Sequence, residues 1–260
     1  MIDLITGNKF KKICHYSLDE FGFSVLSEPK NNEIIKFFVK IDFIHDFFRQ
    51  RIFHSKPYEL YTHNGDIPVS DDLLKYMDEP NLIIWYGQNI NTVHKKIKSI
   101  PIGIANEKWP HGNEEIFYKV MKLNLKKDRD IYVNFDINTN LKEREYCLYN
   151  LKKNGLILQN KLPFEKYLME LSKSYFVVSP NGNGIDCHKT WESLYMKTIP
   201  IVTKSINSEY YSSKLPICII DSWSDFNPKN YNEKTYYEIW KNFDQSKLTI
   251  SNCLKYDFSY

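Results

Sequence analysis

The sequence predicts an α/β protein in which parallel strands alternate with helices. Short, apolar, β-prone runs recur at 34–41, 58–62, 82–86, 98–102, 131–135, 175–179, 199–202 and 217–221, the length and composition of buried strands. Stretches with helical spacing separate many of them, at 43–52, 71–77, 113–125, 142–153 and about 186–197, the alternation that gives a sheet covered by helices. The stretch 175–203 reads as one complete strand–turn–helix–strand unit, and parallel strands joined by a helix form a crossover.

That unit organises the rest. The run 175–179 is mostly apolar, and Pro180 ends it. Asn181, Gly182, Asn183 and Gly184 follow, all tolerant of positive φ. Asp186 suits the N-cap of a helix reaching about Lys197. A small-residue turn leading into a helix lets amide hydrogens converge where the helix dipole is positive, which attracts phosphate. On the helix, Cys187, Trp191, Leu194 and Tyr195 have core spacing, while His188, Lys189 and Glu192 fall elsewhere. Lys189 suits a diphosphate and Glu192 sugar hydroxyls. The plainer reading is an ordinary Asn-Gly turn followed by a solvated Lys/Glu pair.

The remaining elements follow in order. A strand is expected at 21–26, a turn at 29–32, and a helix at 43–52 carrying Phe43, Phe47 and Phe48. Ser70 suits the cap of the helix at 71–77. The segment 104–112, with Trp109-Pro-His-Gly, reads as a connector, and the charged 126–130 as a linker. The expected domains are therefore 1–115 and 116–260. In the second, Asn154-Gly155 ends the helix at 142–153, 157–158 is a short strand, and Pro163 opens a further helix. A short helix at 208–212, an aromatic helix at 231–243 and a polar, aperiodic tail from Gln245 complete the chain.

Composition bounds the function. Hydrophobic residues are 42% and aromatics 15% of 260 residues, enough for a substantial core and too much for wholesale disorder. A net charge of +3, dispersed along the chain, does not point to nucleic acid. The five cysteines are scattered with no Cys-x-x-Cys pair, so neither a zinc site nor a disulfide framework is indicated. A reducing compartment fits, and cytoplasmic localisation is expected. No apolar run is long enough to span a bilayer, and Met1 opens no signal-peptide pattern.

Other residues compete for chemical roles. His63 and Asp66, in Thr62-His-Asn-Gly-Asp, follow an expected strand, where ligands gather in α/β sheets. Either is a candidate general base for an acceptor hydroxyl; the alternative is a turn with a hydrogen-bonded histidine. Trp85-Tyr-Gly-Gln-Asn89 is a candidate cleft wall or simply packing. Asp128-Arg-Asp130 spells Asp-x-Asp, but it precedes the strand at 131–135 and reads as solvated charge. The Tyr- and Trp-rich C-terminal helix reads as core.

The run Phe176-Val-Val-Ser-Pro-Asn-Gly-Asn-Gly-Ile-Asp-Cys-His-Lys-Thr-Trp-Glu-Ser-Leu, then Ile199-Pro-Ile-Val, resembles the donor-binding segment of exostosin-like glycosyltransferases. It is closer still to small relatives found in bacteria and large DNA viruses. The close match covers about thirty residues, and His63-Asn-Gly-Asp66 and Trp109-Pro-His111 echo those relatives more weakly. Lys189 falls where the family often has Arg, Glu192 where it has Glu, and Lys197 where Gly is usual. The resemblance implies the two-domain GT-B arrangement: two Rossmann-like domains face a cleft, and the C-terminal one holds a nucleotide-sugar. It implies metal-independent transfer of a sugar to a hydroxyl of a glycan, glycoprotein or other acceptor, with no cofactor beyond the donor substrate. It also implies that the last helix returns to the first domain. The membrane anchor of many exostosin relatives is not carried over, and for a viral protein the host cytoplasm or the virion is the expected location. The competing expectation is a degenerate transferase that binds a sugar, nucleotide or partner without turnover. An oxidoreductase is a weaker alternative, because Gly-x-Gly-x-x-Gly is absent.

Overall fold

A computed structural model describes residues 2–50 and 55–255. The chain begins with α1 (Gly7–Lys12), capped by the Thr6 hydroxyl, which accepts from the Lys9 amide. A hairpin follows, β1 (Tyr16–Asp19) and β2 (Gly22–Val25), turning at Gly22 with φ 83°. Then come β3 (Ile35–Lys40), α2 (Ile44–Gln50), β4 (Tyr58–His63), β5 (Leu82–Gly87) and β6 (Ile97–Ser99). These strands form one mixed sheet in the order β2-β1-β3-β4-β5-β6. The β1–β2 pair is antiparallel and the other pairs are parallel. Its apolar face buries Phe37, Val39, Leu60 and Trp85 against Phe47 of α2 and Leu73. Trp85 is fully buried and gives its indole N–H to the Thr62 hydroxyl at 2.7 Å, which meets the demand of that polar atom.

The second half contains α3 (Glu114–Leu123), β7 (Arg129–Tyr132), α4 (Leu141–Lys153), α5 (Phe164–Ser172), β8 (Ser174–Val178), α6 (His188–Tyr195), β9 (Ile199–Thr203), α7 (Ile206–Ser212), β10 (Cys218–Ile220), α8 (Glu233–Trp240) and α9 (Ile250–Cys253). Its four strands are all parallel, in the order β10-β9-β8-β7. Every residue of β8 is buried, as a central parallel strand requires. Both sheets are Rossmann-like in character.

Several expectations are corrected. The elements α1 and β1 were not foreseen. The helix at 71–77 is a 3-10 turn over Asp71–Tyr76, and Ser70 makes no capping bond to it. Residues 51 and 52 of the helix expected at 43–52 lie outside the described residues, as do 256–260 of the tail. The strand expected at 131–135 begins earlier, so Arg129 and Asp130 lie on β7 rather than in a linker. Residues 157–158 are not a strand. Of the two C-terminal helices α8 and α9, it is α9 rather than the aromatic α8 that shares the core of the first sheet. Ile250 and Cys253 share a core with Phe10, Cys14, Phe38 and Tyr61, while Tyr236 of α8 packs on Tyr175 and Phe176 of β8. Leu4, Ile102 and Ile104 in turn enter the core around Trp191, Leu194 and Phe117. Among the described residues no helix is long and apolar enough to cross a membrane.

Candidate functional site

The helix α6 starts one residue later than expected. Cys187 is its N-cap, and the Asp186 carboxylate is committed elsewhere. It accepts the Ile102 amide at 2.8 Å and the Trp191 indole N–H at 2.8 Å, and is buried. Desolvation pushes its pKa up to about 7, against the pull of those donors. The backbone N–H of Asp186 donates to Asn89 Oδ1 at 2.8 Å, so the second residue after β5 holds the turn after β8. Gly184 permits this approach, because a Cβ there would lie 2.5 Å from Asn89 Nδ2. The helix ends at Tyr195, and Lys197 takes the left-handed conformation at φ 57°, the role that Gly usually fills.

Within the turn, one amide and two carbonyls are already engaged. The Gly182 amide donates to the Cys187 sulfur at 3.0 Å. Its carbonyls face cations and amides: Arg144 Nε donates to the Asn181 carbonyl at 2.9 Å, and Asn140 Nδ2 to that of Gly182 at 2.8 Å. Asn183 is exposed. None of Asn181, Gly182, Asn183 and Gly184 is among the residues lining the two clefts described next.

These clefts flank the start of α6. One, of about 640 Å³, opens where the chain leaves the carboxyl end of β7 and is lined by Asp136, Thr139, Arg144, Tyr167, Lys189 and Glu192. Ligands of parallel sheets collect at strand carboxyl ends. Lys189 Nζ donates to the Tyr167 hydroxyl at 3.0 Å, and that hydroxyl donates to Glu192 Oε2 at 2.8 Å. Burial lowers the Lys189 pKa to about 8, with Glu192 pulling it back up. The guanidinium of Arg144 also donates to the Asp136 carbonyl at 2.6 Å and is itself buried.

The other cleft, of about 500 Å³, brings His63, Asp66 and His188 together with Gln88 and Trp109. Asp66 is exposed. His63 is 2% exposed. Its Nε2–H donates to the Pro101 carbonyl at 3.1 Å, which leaves Nδ1 to accept the Asn64 amide at 2.7 Å. Burial pushes its pKa down to about 4. His188 Nδ1 donates to the Gly103 carbonyl at 2.8 Å. The structure thus puts Lys189 and Glu192 in one cleft and His63, Asp66 and His188 in the other, while Asp186 is buried and lines neither. Of the other sequence candidates, Gln88 and Trp109 line the His63 cleft and His111 the Lys189 cleft, whereas Trp85 is core.

Arg144, Tyr167 and Asn140 escaped the sequence reading. Arg144 carried a signal: it is a cation in the first turns of α4, where the helix dipole disfavours positive charge. Tyr167 carries none: it sits beside Leu168 on α5 with nothing in its spacing to mark it. Among the described residues there is no group of three or more His, Cys, Asp or Glu arranged to hold a metal ion. Compared with known proteins, the chain matches no family model and no curated protein.

Proposed function

We propose that the protein is a glycosyltransferase that moves a sugar from a nucleotide-sugar to a hydroxyl acceptor. The observation that carries this reading is the Lys189–Tyr167–Glu192 chain facing Arg144 across a cleft at the end of β7. The resemblance of 175–203 to exostosin-like donor-binding segments supports it.

In this reading the diphosphate lies between Arg144 and Lys189. Their charges oppose the negative charge that grows on the leaving group, and fixed cations in a partly dry site are effective there. That role needs no metal. Glu192, held by Tyr167, accepts hydrogen bonds from sugar or ribose hydroxyls. The acceptor enters the cleft of His63, Asp66 and His188, with the exposed Asp66 carboxylate orienting its hydroxyl. His63 has both ring nitrogens engaged and serves to fix the Pro101 segment. The division into domains 1–115 and 116–260 and the GT-B arrangement belong to the same proposal.

A non-catalytic binder is the second reading. It draws support from the turn at 181–184, whose Gly182 amide is spent on Cys187 rather than offered to an anion. Calorimetry and nucleoside-diphosphate release separate the two. UDP-glucose, UDP-N-acetylglucosamine, GDP-mannose and GDP-fucose are each offered with a mixture of mono- and oligosaccharide acceptors. Transfer from any one supports the enzyme, and binding without release supports the binder. Absence of both binding and release sinks the donor site.

A further inference from the structure

We propose that His188 is the general base of this transfer, accepting the acceptor's proton at Nε2. The inference rests on the glycosyltransferase reading.

Three observations carry it. First, His188 lines the 500 Å³ cleft, while the next residue, Lys189, lines the 640 Å³ one. The first turn of α6 therefore presents a base to one side and a cation to the other. Second, the ring is oriented. A carbonyl only accepts, so the 2.8 Å contact to Gly103 fixes the proton on Nδ1 and leaves the Nε2 lone pair available in the neutral ring. No hydrogen bond from Nε2 is found among the described residues. Third, the carbonyl that orients it is rigid. Gly103 has φ 67° and packs against the Ile5 carbonyl so tightly that a Cβ would collide, and Ile104 donates to that same carbonyl at 2.8 Å.

The competing groups in this cleft are otherwise engaged. His63 has partners on both nitrogens. Asp19 is paired with Lys11 at 2.6 Å, and Glu20 lies 3.6 Å from Lys40 and 3.8 Å from Lys108. Asp66 is exposed, and in this reading it orients the acceptor hydroxyl rather than taking its proton. The acceptor oxygen forms its bond to the anomeric carbon while its proton passes to Nε2. The bond from that carbon to the diphosphate breaks, and the electron pair leaves with the nucleoside diphosphate. The imidazolium then gives its proton to water.

The test uses the full chain and the same four nucleotide-sugars. In His188→Asn the amide nitrogen stands near the position of Nδ1 and keeps the bond to Gly103, but no base remains. Nucleoside-diphosphate release with acceptor should fall by about 10²–10⁴-fold, donor affinity by calorimetry should stay unchanged, and the acid limb of the pH–rate profile should vanish. A fall of less than tenfold with the acid limb intact overturns the base assignment and leaves the transferase reading standing. Failure of the wild-type protein to turn over any donor overturns both. Should the variant not fold, acylation of the wild-type protein by diethyl pyrocarbonate decides. Modification at His188, with loss of activity and with His63 spared, supports the assignment; modification at His63 alone overturns it.

Discussion

His63 and His188, one at the end of β4 and the other at the start of α6, donate to carbonyls two residues apart on a single short segment. His63 Nε2 holds Pro101 at 3.1 Å and His188 Nδ1 holds Gly103 at 2.8 Å. Between them the Ile102 amide donates to Asp186. Three residues singled out in the sequence therefore grip one tripeptide, 101–103, in the connection that follows β6. The segment thereby links the two imidazoles, the buried Asp186 carboxyl and the start of α6 through its own backbone.

Gly184→Ala should weaken that junction. Its methyl group would meet the amide of Asn89, which is fully buried and holds the Asp186 backbone. We expect a loss of about 1–3 kcal/mol, the usual penalty of overpacking, read as a lower midpoint in urea with an unchanged m-value. A midpoint equal to wild type shows that Asn89 yields freely.

Asp186→Asn should alter the pH dependence of stability. The carboxyl titrates near 7 in the folded protein and near 3.9 in an unfolded chain. The native state thus binds the extra proton across this window, so the stability it contributes is complete below about 4 and is lost as pH rises through 7. Wild-type stability minus variant stability should fall with a slope of at most about 1.4 kcal/mol per pH unit. His63, shifted the other way, is common to both proteins and cancels. Urea titrations at several pH values between 4 and 7 measure the difference; a flat line refutes the expectation.

Lys189→Met and Glu192→Gln should each reduce nucleotide-sugar affinity or turnover by at least tenfold while the far-ultraviolet circular dichroism stays native. Because Lys189 titrates near 8 in the free protein, donor affinity should also decline above that pH as its charge is lost. The decline should approach tenfold per pH unit, since one proton is linked to binding. Calorimetry with a bound donor from pH 7 to 9.5 reads this directly. Pronounced weakening in the wild type that persists unchanged in Lys189→Met would assign it to another group.

Lys127 offers a fourth measurement, away from both clefts. Its ammonium is held by the carbonyls of Ser172 at 3.1 Å and Ser174 at 2.6 Å. Burial, then the charge of Lys197, lowers its pKa to about 7. The unfolded chain keeps this proton up to about 10.4, so the unfavourable burial of charge is relieved in the native state as pH rises from 7. Stability should rise over that interval in the wild type and rise less in Lys127→Met. Matching slopes in the two proteins would exclude Lys127 as the source.

The sequence made legible whatever is local. The β8, α6 and β9 unit follows from apolar runs, Pro180 and a periodic helix, and Lys197 occupies the left-handed position where a Gly was expected. What depends on distant partners was not legible. Asp186 has the composition of an N-cap, yet Ile102 and Trp191 occupy its oxygens, and no rule of spacing announces a contact with a residue more than eighty positions away. For His63 the sequence offers both a general base and a hydrogen-bonded turn histidine, and the partner that holds its Nε2, Pro101, lies 38 positions away. The short β1 and α1 gave too few apolar residues to show a period, although Thr6 is a recognisable cap.

The packing of Ile250 and Cys253 beneath Phe10, Cys14 and Phe38 also sets an order of events during synthesis. The first sheet can pair its strands soon after β6 leaves the ribosome, but one wall of its interior is added only when translation has passed Cys253. A nascent chain halted after β10 would carry that interior open to chaperones, and neither half, expressed separately, would bring its own complete wall.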